Sequence, residues 1–62
     1  MDTYLTVEEV ADILRVKRQT AREIIKTEIP YLIIGKRIRV KESDLFEYID
    51  INTERRHVDG NV

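Results

Sequence analysis

The sequence predicts a small α+β domain of three short helices and one two-stranded hairpin. Three observations predict it. Apolar residues recur at helical spacing in three separate stretches, near residues 7–14, 18–27 and 43–50. Between the second and third stretches, residues 31–40 hold two runs rich in β-branched and aromatic residues around Gly35-Lys36, a two-residue hairpin signal. The chain has 62 residues and no cysteine, so it is one domain without a disulfide or thiolate metal site. A chain of this length buries only about 60% of its unfolded surface, which leaves its stability marginal.

Residues 1–5 form a lead-in with extended character around Tyr4. Thr6 and Glu9 have the spacing of a capping box, and Leu5 and Val10 that of a hydrophobic staple. The first helix follows at residues 7–14. Val7, Val10, Ala11, Ile13 and Leu14 form its core side, and Glu8, Glu9 and Asp12 lie opposite. That acidic face would repel phosphate, so the helix reads as a support. Residues 15–17 make the turn, with Val16 plugging the junction. The second helix, at residues 18–27, carries Ala21, Ile24 and Ile25 as its core stripe and Arg18, Gln19, Arg22, Glu23 and Lys26 on the other face. Pro30 disfavours helical geometry at Ile29, so this helix ends by about Glu28.

Gly35 takes the positive φ of a tight turn, and a two-residue loop sets the register. Ile34 opposes Arg37, Ile33 opposes Ile38, Leu32 opposes Arg39 and Tyr31 opposes Val40. One hairpin face is then Tyr31, Ile33, Ile38 and Val40, a core face. The other carries Leu32, Ile34, Arg37 and Arg39, with Lys36 at the tip. The third helix, with Lys41 or Ser43 at its start, presents Leu45, Tyr48 and Ile49 to the core and leaves Phe46 and Ile51 off the stripe. The domain spans residues 1–51. Residues 52–62 are polar and aperiodic and read as a disordered tail, in which His57 has no second ligand at metal spacing. Two helices joined by a short turn, followed by a basic hairpin, have the layout of a winged helix-turn-helix.

Charge sharpens that reading. The net charge is -1, from 11 Lys+Arg and 12 Asp+Glu. Residues 1–14 carry four acids and no base. Residues 15–41 carry nine bases and two acids, and residues 42–62 six acids and two bases. The three segments therefore hold -4, +7 and -4, which concentrates positive potential where a polyanion can read it. Nothing points to catalysis: there is no nucleophile–base pair, glycine-rich phosphate loop or enclosed acid cluster, so neither enzyme activity, a cofactor nor a metal is expected. No apolar run reaches the roughly 18 residues of a membrane span and no signal peptide is present, so a cytoplasmic protein is expected.

The stretches YLTVEEVADILRVKRQTAREIIK and IGKRIRVKESDLFEYI resemble the excisionase-type DNA-binding domain, a MerR-like winged helix-turn-helix. The resemblance covers residues 4–50. It is carried by the L-T-x-x-E-V-A start, the V-x-R-Q-T entry to the second helix, and the I-G-x-R-x-R-V wing with S-D-L after it. Three positions depart from the family's pattern. Lys17 replaces the usual Ser or Thr cap, Arg22 replaces a frequent aromatic residue, and residues 27–30 lack the common glycine.

The resemblance implies binding of double-stranded DNA without chemistry. Arg18, Gln19 and Arg22 would face base edges in the major groove, with Thr20 beside them. Lys17, Lys26, Lys36, Arg37 and Arg39 would hold phosphates or enter the adjacent minor groove. It also implies an excisionase that bends attachment-site DNA, steers a tyrosine recombinase (integrase) toward excision and self-associates cooperatively along the duplex. A small MerR-like transcription regulator is the first alternative. A protein-binding adaptor or antirepressor, whose basic face meets an acidic partner, is the second.

Overall fold

Thr6 begins the first helix as its sequence requires. In the computed structural model, which describes residues 3–54, the Thr6 hydroxyl accepts from the Glu9 N–H at 3.1 Å, and the Glu9 carboxylate accepts from the Thr6 N–H at 2.8 Å. The elements run β1 (Tyr4–Leu5), α1 (Val7–Leu14), α2 (Arg18–Glu28), β2 (Leu32–Ile34), β3 (Arg37–Lys41) and α3 (Glu42–Asn52). The result is the small α+β, winged helix-turn-helix arrangement, with one strand more than the sequence suggests.

That strand is β1. It pairs antiparallel with β3, Tyr4 opposite Lys41 and Leu5 opposite Val40, giving a sheet of order β1-β3-β2. The Glu42 N–H extends the pairing by donating to the Thr3 carbonyl at 2.8 Å, which satisfies one of the orphan donors at the start of α3. The hairpin keeps the expected register from Leu32–Arg39 to Ile34–Arg37. The expected Tyr31–Val40 pair is absent: Tyr31 lies outside β2, directly after Pro30, and Val40 pairs with Leu5. Gly35 and Lys36 both have positive φ, 57° and 68°, the requirement of a type I′ turn, whose twist matches that of the flanking strands.

The turn between the helices is built on backbone. Arg15 adopts left-handed φ 60°, ψ 45°. The Val16 N–H donates to the Ala11 carbonyl at 3.0 Å and the Arg15 N–H to the Asp12 carbonyl at 3.3 Å. These are the two bonds of a Schellman closure, which ends a helix abruptly enough for the next to start three residues later. Helix α2 opens with the Ala21 N–H donating to the Lys17 carbonyl at 2.9 Å, but the Lys17 side chain makes no capping bond. It closes at Ile29, whose N–H donates to the Ile25 carbonyl at 3.3 Å before Pro30 turns the chain.

Leu5, Val7, Val10, Ala11, Ala21, Ile25, Ile29, Ile38, Val40 and Leu45 form the core. Leu14, Val16, Ile24, Tyr48 and Ile49 pack around it. Three residues expected in the core are outside it. Ile13 is 42% exposed, at the edge of the α1 stripe, where α2 does not cover it. Tyr31 and Ile33 are 41% and 62% exposed. The reason is reach: the helices cover Ile38 and Val40 on β3, while β2 is an edge strand with no helix against it. Phe46 and Ile51 are exposed, as their position off the α3 stripe suggests. Helix α3 runs to Asn52, one residue past the expected domain boundary; His57 and the rest of the expected tail beyond Glu54 lie outside the described residues.

The empty cap of α2 makes a stability prediction. Lys17→Ser supplies an acceptor for an orphan amide and should stabilise the fold by roughly 0.5–1 kcal/mol. Thermal melting should show this as a rise of several degrees, and an unchanged or lower Tm would remove Lys17 from the cap position.

Candidate nucleic-acid interface

Helix α2 and the hairpin stand apart with a groove of about 590 Å³ between them. On the helix side, Arg18, Arg22 and Lys26 are spaced four residues apart, which places them on one stripe flanking the buried Ala21–Ile25 side. On the hairpin side stand Lys36 at the turn and Arg37 and Arg39 on β3. Six of the nine cationic or polar residues singled out from sequence therefore line one groove. Tyr31 and Ile33, expected in the core, form part of its apolar wall.

The other three lie elsewhere, Gln19 and Thr20 on α2 and Lys17 at its N-cap. Gln19 shares the outer surface of the helix with Arg18, Arg22, Glu23 and Lys26. Lys17 and Thr20 are exposed but border neither surface. Arg39 is half-buried, and its Nη1 donates to the Ile38 carbonyl at 3.0 Å, so this side chain folds along its own strand. Arg22, Lys26, Lys36 and Arg37 are exposed.

Sequence reading missed one member. Glu8, assigned to the phosphate-repelling face of α1, lines the groove, and its Oε2 accepts from Arg18 Nε at 2.7 Å. The two residues are ten apart and on different helices, so no local spacing announces the pair. Only the packing of α2 against α1 across the Arg15 turn brings them together. The Arg18 hydrogen bond, then a backbone hydrogen bond, and the charges of Arg18 and Arg37 hold the Glu8 carboxyl below the ordinary carboxylate range. Among the described residues no group of three or more His, Cys, Asp or Glu is placed to hold a metal ion, and no helix is long and apolar enough to cross a membrane.

Geometrically, two helices at a tight turn precede a basic hairpin, and the second helix presents its cations outward. A family profile described as a helix-turn-helix domain matches residues 4–51. The chain belongs to that family. No curated protein and no solved structure matched it. In the helix-turn-helix domain, membership supports DNA binding, and α2 occupies the recognition-helix position. The basic groove then runs between recognition helix and wing.

The lowered Glu8 pKa has a sign that can be checked. A carboxylate depressed in the folded state adds stability above its unfolded pKa, and that contribution is lost as pH falls through the folded value. A carboxyl-carbon NMR titration should give Glu8 a midpoint below that of an unpaired glutamate, and Arg18→Ala should move it upward. A midpoint indifferent to Arg18→Ala would place the cause elsewhere.

Proposed function

We propose that this helix-turn-helix domain is an excisionase-type architectural protein that binds and bends double-stranded DNA without catalysis, in the cytoplasm, to direct a tyrosine recombinase toward excision. One observation carries the DNA-binding part: six cations from α2 and the wing face a single groove, opposed there by one carboxylate. A groove of that sign between a recognition helix and a wing suits one phosphate strand, with the helix in the major groove alongside it. The excisionase part rests on the sequence resemblance over residues 4–50. It is supported by exposed Leu32, Ile34, Phe46 and Ile51, which suit copies packed side by side along a bent duplex.

Within this reading the roles divide. Arg18, Gln19 and Arg22 face base edges; Lys17, Lys26, Lys36, Arg37 and Arg39 hold phosphates. Removing Arg37 and Arg39 together should weaken specific and random duplexes by similar factors and reduce the salt slope of log K by about 0.9 per lost contact. Arg22→Ala should cost roughly 1–3 kcal/mol on the specific site and less on random DNA. Titrations of both variants against specific and scrambled duplexes at several salt concentrations measure this. A wing that sets sequence preference, with Arg22 acting uniformly, would reverse the roles. Absence of salt-dependent binding by the parent chain would favour the protein-adaptor alternative.

Cooperation separates an architectural protein from a regulator acting singly. The free protein should sediment as a monomer, load onto a long site more steeply than a single-site curve, and bend the duplex in a circular-permutation gel assay. Independent loading without bending would favour the transcription-regulator alternative.

A further inference from the structure

Glu8 is out of place on a DNA-binding surface. A carboxylate at a phosphate-binding groove repels the ligand, and a solvated position on the back of α1 would avoid that cost. Its local structure does not require it. The capping box is completed by Glu9, and Glu8 is exposed and contributes nothing to the core. Its partner Arg18 is equally exposed, so solvent screens the pair and little stability comes from it. What the pair does supply is geometry.

Arg18 is the first residue of α2, and the N-terminal residues of a recognition helix are those that approach base edges. The preceding residue, Lys17, gives the helix start only its backbone carbonyl and no side-chain cap, so the first amides of the helix have no local side-chain acceptor. Glu8 reaches across from α1 and takes the Arg18 Nε. A guanidinium is a planar fork of five donors, and a bond at Nε leaves both Nη groups pointing onward together. That fork matches guanine O6 and N7. A guanidinium held from behind also loses less freedom on meeting a base than one tethered only by its own flexible chain. The same bond draws Arg18 away from phosphates, its alternative partners.

We propose that Glu8 determines specificity in this interface: it positions Arg18 as a guanine reader and, by its own charge at the groove, weakens binding to duplexes without guanine at that place. The inference rests on the DNA-binding reading above and adds the base recognised and the residue that enforces it. Glu8 acts through Arg18 and is a positioning residue.

The test is selection from a pool of randomised duplexes, with titration against random-sequence duplex at several salt concentrations. The parent chain, Glu8→Gln, Arg18→Lys and the Glu8→Gln/Arg18→Lys double variant are compared. The parent should enrich guanine at one position, and Arg18→Lys, which keeps the charge but loses the planar fork that Glu8 positions, should reduce that enrichment. Glu8→Gln should lower it by roughly fivefold or more, the smaller effect of losing one bidentate base contact. It should also bind random duplex more tightly, with a salt slope steeper by about 0.9 as Arg18 turns to a phosphate. In the Arg18→Lys background, Glu8→Gln should change base preference no further. A melting curve for Glu8→Gln that overlays the parent's shows that the fold is intact. Unchanged guanine enrichment in Glu8→Gln overturns the role of Glu8 alone. A parent that shows no salt-dependent binding overturns the function on which it rests.

Discussion

Val10, Ile25, Val40 and Leu45, one side chain each from α1, α2, β3 and α3, are fully enclosed against one another in a single small core, and every other placement depends on that contact. The core is aliphatic throughout, with no buried polar or charged side chain among the described residues. In so small a domain an element is held firmly only if it inserts a side chain there. Strand β2 inserts none, and so the wing is attached through the β3 ladder instead of through packing. Strand β3 bears that attachment by pairing on both sides, with β1 at its base and β2 at its tip. The short lead-in strand thus anchors the base of the wing and fixes its position beside α2.

The wing and the inter-helix turn share a second feature. Arg15 and Lys36 both have left-handed backbone, where a side chain is strained by about 1–2 kcal/mol and glycine is free of the penalty. Lys36 adds its charge to the groove, which gives the residue a reason at a strained position. Arg15 does not line the groove, and nothing in the structure explains an arginine there in place of glycine.

A net charge of -1 does not describe the electrostatics met by a ligand. At physiological salt, charges farther than about 8 Å from a phosphate are largely screened, so the local set matters. Around the groove that set is Arg18, Arg22, Lys26, Lys36, Arg37 and Arg39, with Glu8 as the opposing charge. The acids of α3 do not line the groove and fall outside this set. Segregation along the sequence becomes segregation in space because the wing folds back beside α2 instead of extending away from it.

Much of this was legible in the chain itself. The capping box, the two helix boundaries at the turn, the stop at Pro30 and the hairpin register next to the Gly35-Lys36 turn are local, and the structure has them where the sequence places them, save the outermost expected pair, Tyr31–Val40. Six groove cations were legible as a charged class, because basic residues at helical or strand spacing announce an exposed face. Tertiary structure decided what depends on distant partners. Period-two alternation assigned Tyr31 and Ile33 to one face but could not say whether a helix would cover that face. Residues 4 and 5 are too few for a strand signal of their own, and they become one only because the far edge of β3 is open. The position of Glu8 was hidden for the same reason. Its neighbour Arg18 is ten residues away, and only the packing of two helices across the Arg15 turn puts an acid from the supporting helix against the first residue of the recognition helix.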